Sequence, residues 1–595
     1  MSDAEAPTAT DPFEPAVELS ELAAEGRKLV TLRGHAIALF HHEGDVHAVD
    51  NRCPHMGFPL TEGSVEDGVL TCHWHHARFE LSCGDTFDPW ADDVPDYPVE
   101  VRDGTVYVNP EPARDEPPAD HWATRLDDGL EQNLRLVVAK SAIGLLDADV
   151  PVEEPVRTGV LFGTRYREDG WSSGLTILAA LANVLGDQEE GDRKRALYQG
   201  LLHVADDCAG EPPKFDQEPF DAREVPFARL KTWFRDAVEV RDADGAERCL
   251  RTAVAEGFDD DRLAELLVAA ATDHRYLDTG HTLDFVNKAC EALDRIGWEH
   301  ADQVLASLVR GLADAERSEE LSSWRQPVDL AGSLAASFDR LDDLVAAAEG
   351  AGSKPENPGD GWSEPDDFQE TLLGDDPEAV VAALEGAIRD GASVEELAGA
   401  VAFAAATRVA NFSTVNEFGD WNTVHHTFTY ANAIHGLAER TGATELYRGV
   451  FDAAVNVYLD RFLNSPAAPT PAPDPDADPD EELSALLDTF DREGAVDAAG
   501  AHAAHYIDGG GDPDRLRRTL ASALLREDAG FHTYQALEAG FAQLDRVEDP
   551  SRRRTLFVAV ARYLGAHAPT RREREQTFTI AARLQRGETI HDAEP

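Results

Sequence analysis

Two short stretches, CPHMGFPL (53–60) and CHWHHARF (72–79), each combine a cysteine with histidine, and sixteen residues (56–71) separate the first pair from the second. Strand-like runs with alternating apolar and polar residues precede both stretches. These runs are HAIALFHH and VHAVD before the first stretch and GVLTC leading into the second. We therefore expect the two stretches to lie on loops above a small antiparallel sheet. Two thiolates and two imidazoles brought together by such loops suit a metal centre.

This pattern resembles the Rieske family, in which one iron of a [2Fe–2S] cluster keeps two cysteines and the other takes two histidines. The likeness runs from about residue 17 to 109 and includes the trailing stretches FELSCGDTF and YPVEVRDGTVYV. By that resemblance Cys53 and Cys72 would hold one iron. His55 and His75 would hold the other iron and complete the cofactor site.

Zinc is the competing interpretation, because two cysteines and two histidines also suit a tetrahedral zinc site. Zinc-finger sequences, however, usually place two cysteines in one box and two histidines in the other, whereas both boxes here are mixed. The resemblance also implies that His73 and His76 are not ligands. High-potential Rieske proteins carry a further cysteine in each box, and Phe58 and Trp74 occupy those places here. The resemblance therefore implies the ferredoxin or oxygenase kind without a disulfide, whose function is one-electron transfer.

The acidic composition limits the partners that the protein can bind. The 595 residues carry a formal charge of −61, and only seven of the 53 basic residues are lysine. Such a surface repels nucleic acids and anionic membranes, so we expect neither as a partner. The profile resembles proteins of extreme halophiles. No apolar stretch reaches the length of about 18 residues that a membrane helix needs, and the N-terminus lacks a signal-peptide pattern, so we expect a cytoplasmic protein.

Proline-rich linkers and a change in the spacing of apolar residues indicate how the chain is divided into domains. Beyond the proline-rich stretch NPEPARDEPPADHW (109–122), apolar residues recur every three or four positions, which predicts a nearly all-helical remainder. The predicted fold class is therefore α+β and multidomain, with a small antiparallel β domain followed by a large all-α domain of repeated helical units. The predicted segments are a disordered N-terminus (1–16), the Rieske domain (17–109), a linker (110–123), the first helical part (124–349), a linker (350–378), a helical repeat (379–463), a Pro/Asp-rich linker (464–482) and a C-terminal helical repeat (483–595).

A unit recurs three times in the helical part. Gly257, Gly391 and Gly510 each precede a leucine by six residues, and each unit later reaches a His-Thr pair. A capping box, Ser393 with Glu396, and a cap followed by proline at 512–513 predict helix starts. The histidines of the three pairs are His281, His426 and His532. The stretch around His203 is a candidate degenerate fourth copy.

Two interpretations of the His-Thr pairs stay open. The three histidines could point from helix N-termini into one cavity and bind a second metal, with Asp278, Asp284 or Asp420 as carboxylate ligands. Alternatively, imidazole and threonine hydroxyl groups satisfy backbone groups at helix ends. The scattered His-Thr helix starts are similar to those of questin oxidase-like proteins, although no motif carries individual residues across.

Two functions from different classes follow. The first is an oxidoreductase whose cluster passes electrons to, or takes them from, a site in the helical domain, with a small-molecule substrate or a redox partner such as a reductase or ferredoxin. The second is a ferredoxin-like carrier whose helical domain is a non-catalytic docking or assembly scaffold. The standard Rieske ring-hydroxylating oxygenase is not expected. Its iron-binding histidines lie five positions apart, and only His42 and His47, inside the predicted sheet, have that spacing.

Overall fold

The computed structural model describes residues 11–113, 116–221, 224–350, 362–417, 419–588 and 590. The chain forms two compact units. One comprises residues 1–151 together with 576–595, and the other comprises residues 152–575. Residues 1–10 of the predicted disordered N-terminus (1–16) and residues 351–361 of the predicted linker 350–378 lie outside the described residues. Within the described part of the chain, no helix is both long enough and apolar enough to cross a bilayer.

The first unit contains three small antiparallel sheets, which confirms the predicted β domain. Their strand orders are β1-β9-β8, β2-β3-β4 and β5-β6-β7. The alternating run HAIALFHH forms the central strand β3, in which Ile37 and Leu39 are fully buried in the core between the sheets. The strands are β1 Glu14–Glu18, β2 Arg27–Leu32, β3 His35–His42, β4 Asp45–Asp50, β5 Ser64–Glu66, β6 Val69–Thr71, β7 Arg78–Glu80, β8 Val99–Arg102 and β9 Thr105–Val108.

Helices make up most of the remaining described chain, as the periodicity predicts. Alanine-rich helices such as α17 are buried around most of their circumference, because small side chains let neighbouring helices approach closely. The first unit has α1 Leu19–Glu25, α2 Pro118–Glu131 and α3 Arg135–Asp147. The second has α4 Glu153–Arg165, α5 Ser173–Val184, α6 Glu190–Cys208, α7 Phe227–Glu239, α8 Ala243–Ala255, α9 Asp260–Ala271, α10 His281–Ile296, α11 Ala301–Ala306, α12 Val309–Asp314, α13 Leu330–Phe338, α14 Leu341–Gly350, α15 Phe368–Leu372, α16 Pro377–Arg389, α17 Val394–Ala410, α18 Asp420–Thr441, α19 Leu446–Asp460, α20 Pro479–Thr489, α21 Val496–Asp508, α22 Pro513–Leu525, α23 Phe531–Arg546 and α24 Pro550–His567. Helix α25, Glu573–Gln585, spans the boundary between the units.

The first domain boundary differs from the predicted one. Helix α2 begins inside the predicted linker 110–123, and Pro118 is tolerated there because the first turn of a helix needs no backbone N–H. Both α2 and α3 belong to the β-containing unit, so the boundary lies at 151/152 instead of 123/124. The physical reason is a pair of buried ionic contacts, from Arg125 and Lys140 to Asp92.

The three-fold repeat has a structural counterpart. Gly257, Gly391 and Gly510 all have φ between +78° and +93°, and each follows the end of a helix, where a left-handed residue is needed. Each is followed by a helix with a side-chain cap, and the predicted capping box of Ser393 and Glu396 is present. The helices that carry the repeated histidines are α10, α18 and α23.

The predicted linker 464–482 lies within one compact helical unit. Residues 152–575 form one unit, because the Pro/Asp-rich segment 464–482 is bound along its length to neighbouring helices. Asn411 bonds with Ala468, and Arg554 donates to Pro471. Helix α20 also begins within this segment, where Asp478 caps its first turn. The repeated helical units therefore lie in one compact unit.

Candidate metal centres

The two Cys/His boxes form similar loops. The first follows β4, and the second connects β6 with β7. In each loop the cysteine N–H donates to the carbonyl five residues later, at 2.9 Å for Cys53 and 2.8 Å for Cys72. In each, the residue four positions after the cysteine has a positive φ, +81° at Gly57 and +66° at His76. The chain therefore folds back on itself twice, and both boxes end in tight turns that present their side chains from loop tips.

In the two boxes, the cysteine side chains lie together and the histidine rings lie together. Cys53 and Cys72 are buried and hydrogen-bonded to one another, and backbone N–H groups at positions 55, 56, 74 and 75 donate to their sulfurs. The mutual hydrogen bond raises the pKa of Cys53 and lowers that of Cys72 to about 6. The rings of His55 and His75 lie 4.8 Å apart at 84°. Thiols thus pair with thiols and imidazoles with imidazoles, which is the division of donors that a Rieske cluster requires.

His55 offers a direct test of this fit. Its Nδ1 is buried and has no hydrogen-bond partner among the described residues. Burial, aided by the neighbouring His75, lowers the pKa of His55 to about 4, so the ring is neutral and its nitrogen can bind iron. His73 is used differently, because its Nε2 is hydrogen-bonded to the Ser64 hydroxyl at 2.9 Å. The residues present therefore fit a [2Fe–2S] cluster.

Two basic side chains, Lys140 and Arg125, form an ionic group with Asp92 beside the first loop, which we call the clamp. Lys140 of α3 donates to the Pro54 carbonyl at 2.6 Å and to Asp92 at 2.7 Å. Arg125 of α2 donates to the same carboxylate at 2.9 Å and to the carbonyl of Pro89 at 2.7 Å. Burial alone would raise the pKa of Asp92, but the two cations together lower it. The sequence interpretation missed this clamp. Its only signal was a lone lysine inside the apolar run LVVAKSAIGLL (136–146).

The helical unit brings the three repeated histidines together. Ligand atoms of His281, His426 and His532 all lie within 4.8 Å of one another. The Nε2 atoms of His426 and His532 are 2.9 Å apart, so one of these rings donates to the other. His281 is the first residue of α10 and His532 the second of α23. His426 is seven residues into α18, so it does not lie at a helix N-terminus as predicted.

The three histidines are held neutral. Burial lowers the pKa of His281 to about 4, that of His532 to about 4 and that of His426 to about 2, and the neighbouring imidazoles lower the last two further. Neutral imidazole is the form that binds zinc, copper, iron or nickel. The set is therefore a candidate metal site, which we call the histidine cluster.

The carboxylates suggested as further ligands lie elsewhere. Within the described parts of the chain, the group of candidate ligand atoms holds histidines alone. Asp278 accepts from the backbone of Glu316, and Asp284 is buried and accepts from Gln535. Asp420 begins α18 and accepts from the backbone N–H of residue 417. A site of two histidines and one carboxylate is therefore not what these residues form.

A fourth histidine was missed. His425 is fully buried, and in the described structure neither of its ring nitrogens has a hydrogen-bond partner. Its ring lies 5.4 Å from that of His532 and 4.9 Å from that of Tyr563. The His-His dipeptide was visible in the sequence, but alignment of the repeats selects only the second histidine. His425 therefore packs beside the histidine cluster.

Known proteins resemble the N-terminal region. The family model described as the Rieske [2Fe-2S] domain matches residues 13–98. The ferredoxin subunit of 3-phenylpropionate/cinnamic acid dioxygenase from Photorhabdus laumondii is 42% identical over 12% of this chain and 70% of its own length. The ferredoxin component of the naphthalene 1,2-dioxygenase system from Pseudomonas putida is 32% identical over 16% of this chain and 91% of its own. Among solved structures, the carbazole 1,9a-dioxygenase ferredoxin from Nocardioides aromaticivorans IC177 aligns at 22% identity over 17% of this chain and 98% of its own, with a TM-score of 0.16.

Proposed function

Because the chain belongs to the Rieske [2Fe–2S] domain family through residues 13–98, we propose that it is an oxidoreductase whose cluster exchanges single electrons with a metal site in the helical unit. The domain carries a Rieske-type [2Fe–2S] cluster, and its own function is electron transfer. The proposal for the whole protein adds an acceptor or donor on the same chain. Tethering the two raises their effective concentration over that of separate proteins.

Within this proposal, Cys53 and Cys72 bind one iron, and His55 and His75 bind the other. The burial of both thiols and the unpartnered Nδ1 of His55 support this assignment. The neutral imidazoles reduce the negative charge on the cluster compared with four thiolates, which raises its reduction potential above that of plant-type ferredoxins. The backbone N–H groups that surround the sulfurs act in the same direction, because they stabilise the added negative charge.

The observation that carries the oxidoreductase proposal is the histidine cluster. Three imidazoles from separate helices converge within 4.8 Å, and burial keeps them neutral. A structural role at helix ends does not require such convergence, because each helix end could be satisfied locally. Iron is the metal that best suits a neighbour of an electron-transfer domain, although the donor set alone also suits zinc or copper.

The second candidate is a ferredoxin-like carrier with a scaffold domain. It is favoured by the names of the relatives, one of which is the ferredoxin subunit of a dioxygenase and another the ferredoxin component of a dioxygenase system. Under this proposal the redox partner is another protein, a reductase or an oxygenase. The histidine cluster then contributes only packing and hydrogen bonds.

Metal analysis of the full-length protein, purified without oxygen, separates the two candidates. The oxidoreductase should hold about three transition-metal ions per chain, of which two are the cluster irons. Replacing His281, His426 and His532 with glutamine should remove the additional ion and leave the Rieske EPR signal unchanged. The control is His300→Gln, at a histidine outside the cluster. A wild type with about two irons and no further metal would favour the carrier.

We also propose that the protein works in a cytoplasm of high salt concentration. The charge of −61 on 595 residues supports this, because self-repulsion of the acidic surface weakens the fold at low ionic strength. The melting temperature should rise as KCl is raised from about 0.1 M to about 1 M, because the Debye length shortens over that range from about 10 Å to about 3 Å. A melting temperature that does not change with KCl would contradict the proposal.

A further inference from the structure

The helical unit contains a cavity of about 390 Å³ that none of the assignments above uses. Its volume lies within the usual range for small-molecule sites. The walls come from the loop before α10, from residues 318–330 and from α19, and they are mainly apolar. The side chains that form these walls include Tyr276, Leu321, Trp324, Val328, Tyr458 and Phe462.

The cavity and the histidine cluster share two elements. Thr279 lines the cavity and lies two residues before His281. Thr423 also lines it and lies one helical turn before His426 on α18. A molecule in the cavity would therefore rest against the same segments that carry two of the three clustered histidines.

One polar group in the cavity wall is incompletely satisfied. Asp460, at the end of α19, is only 3% exposed, and its Oδ2 has no hydrogen-bond partner in the part of the chain that the structure describes. The carboxyl group is hydrogen-bonded to Thr427, the residue next to His426. It forms no ion pair with any described residue, although Arg408 is near enough to act on it electrostatically. Leaving a buried oxygen unbonded costs about 1–3 kcal/mol. Because Asp460 forms part of the cavity wall, rotation of its carboxyl group toward a ligand with a matching group would offset that cost.

The charge state of Asp460 restricts the ligand. Burial raises its pKa to about 7, so the carboxyl group is protonated in a large part of the molecules and can donate a hydrogen bond. A cation gains little here, because the Arg461 guanidinium already covers the rings of Tyr458, at 3.6 Å, and Phe462, at 4.0 Å. An anion is also disfavoured. The described lining contains no charged side chain besides the Asp460 carboxyl group, so no positive group there could pair with an anion.

We propose that this cavity binds an uncharged, mainly apolar organic molecule, held by a hydrogen bond between Asp460 and one oxygen atom of the ligand. The inference deepens the proposed function, because it supplies a substrate class for the histidine cluster, and any reaction of the bound molecule rests on that function. Binding itself does not depend on the cluster or on a metal.

The test uses three bicyclic probes of nearly equal size with the full-length protein, measured by isothermal titration calorimetry. The probes are 1-tetralone, which has a ketone oxygen, tetralin, which lacks it, and 1-aminotetralin, which is a cation. The ketone should bind about tenfold more tightly than tetralin, since one hydrogen bond separates them. The cation should bind most weakly. Equal binding of the ketone and tetralin, or preferred binding of the cation, would overturn the proposal.

Three variants locate the site. Asp460→Leu should abolish the preference for the ketone, whereas Asp460→Asn, which keeps an N–H donor there, should retain it. Asp452→Asn is the matched control, because Asp452 is equally buried on α19 with a pKa also raised to about 7 by burial, yet it pairs with Arg275 and does not line the cavity. This control should keep the preference. Retention of the preference in Asp460→Leu would refute the role of Asp460.

A rim variant keeps the test decisive if Asp460→Leu does not fold. Ser323 is exposed at the edge of the cavity, so Ser323→Trp should fill it without disturbing the core. Binding of all three probes should then be lost while the circular dichroism spectrum is unchanged. Unaltered binding would show that the probes bind elsewhere and would overturn the proposal. Loss of metal on histidine substitution is a separate measurement, so failure of the cavity and failure of the proposed function can be told apart.

Discussion

The two candidate metal centres are built in opposite ways. In the first unit, the four proposed ligands come from two loops within residues 53–75, and backbone N–H groups from the same loops surround the sulfurs. In the second unit, three histidines come from α10, α18 and α23, and the first and last are separated by 251 positions in the sequence (281 to 532). The first centre is therefore a local structure, whereas the second exists only when the helical core has formed. This difference determines how each should respond to substitution and to pH.

The largest expected effect concerns the local centre. Replacing Cys53 or His75 with alanine should abolish the Rieske optical and EPR signals, because each residue is a proposed iron ligand that no neighbour can replace. Cys83→Ala and His73→Ala are matched controls of the same residue types from the same domain, and both should keep the signals. Signals that survive in His75→Ala but vanish in His73→Ala would reverse the assignment of the second box.

The second prediction concerns pH and the helical core. The pKa of His281 and that of His532 are lowered to about 4 from an ordinary value of 6.5, so the unfolded chain binds more protons between these limits. The free energy of unfolding contributed by these histidines must therefore fall as the pH falls from about 6.5 to 4. Asp452 and Asp460, with pKa values raised to about 7 from 3.8, act in the opposite sense, and their contribution falls as the pH rises through that range.

Urea denaturation of the metal-free full chain between pH 4.5 and 7.5 can separate the two contributions. A triple His→Gln variant at positions 281, 426 and 532 should gain stability relative to wild type as the pH is lowered. Asp452→Asn combined with Asp460→Asn should gain stability relative to wild type as the pH is raised. If both differences are independent of pH, the histidines and aspartates do not have shifted pKa values, and the second centre is less buried than the structure indicates.

The smallest expected effect concerns the clamp on the first loop. Lys140→Met should lower the reduction potential of the cluster, because it removes a buried positive charge that contacts the Pro54 carbonyl, between two of the proposed ligands. A redox titration followed by EPR measures the shift. Lys28→Met, at a partly exposed lysine of the same unit, should leave the potential unchanged.

A double variant separates charge from hydrogen bonding in the clamp. Lys140→Met combined with Asp92→Asn removes both members of the ion pair and restores the charge balance around the loop. Most of the shift in potential should then be reversed. If the double variant keeps the lowered potential, the hydrogen bond to the Pro54 carbonyl is responsible instead of the charge.

The sequence could predict the features that depend on short stretches of chain. The Rieske loops and their strands were predictable because ligands and turns lie within a short stretch of chain. The repeat was predictable because Gly257, Gly391 and Gly510 need left-handed backbone, which few residues other than glycine adopt readily. Aligning the repeats also selected the three histidines that the structure brings together.

The features that the sequence did not predict depend on contacts between residues that are far apart in the chain. The ion pair between Lys140 and Asp92 moves α2 and α3 into the first unit, and no local pattern announces it. The role of His425 depends on which side of α18 faces α23, and the cavity beside Asp460 depends on how α19 packs against residues 318–330. Periodicity indicates that a helix is buried but does not identify its neighbours.

The division of the chain into units has a consequence for synthesis. The β-containing unit is not contiguous, since residues 576–595 belong to it and Gln585 donates a hydrogen bond to the Lys140 carbonyl at 3.2 Å. A ribosome exposes the cluster loops early, yet it supplies the final helical segment of their unit only after more than four hundred intervening residues have emerged. The cluster loops and the last helical segment of their unit therefore leave the ribosome at different times, and a fragment cut at residue 151 would lack the segment that completes the unit.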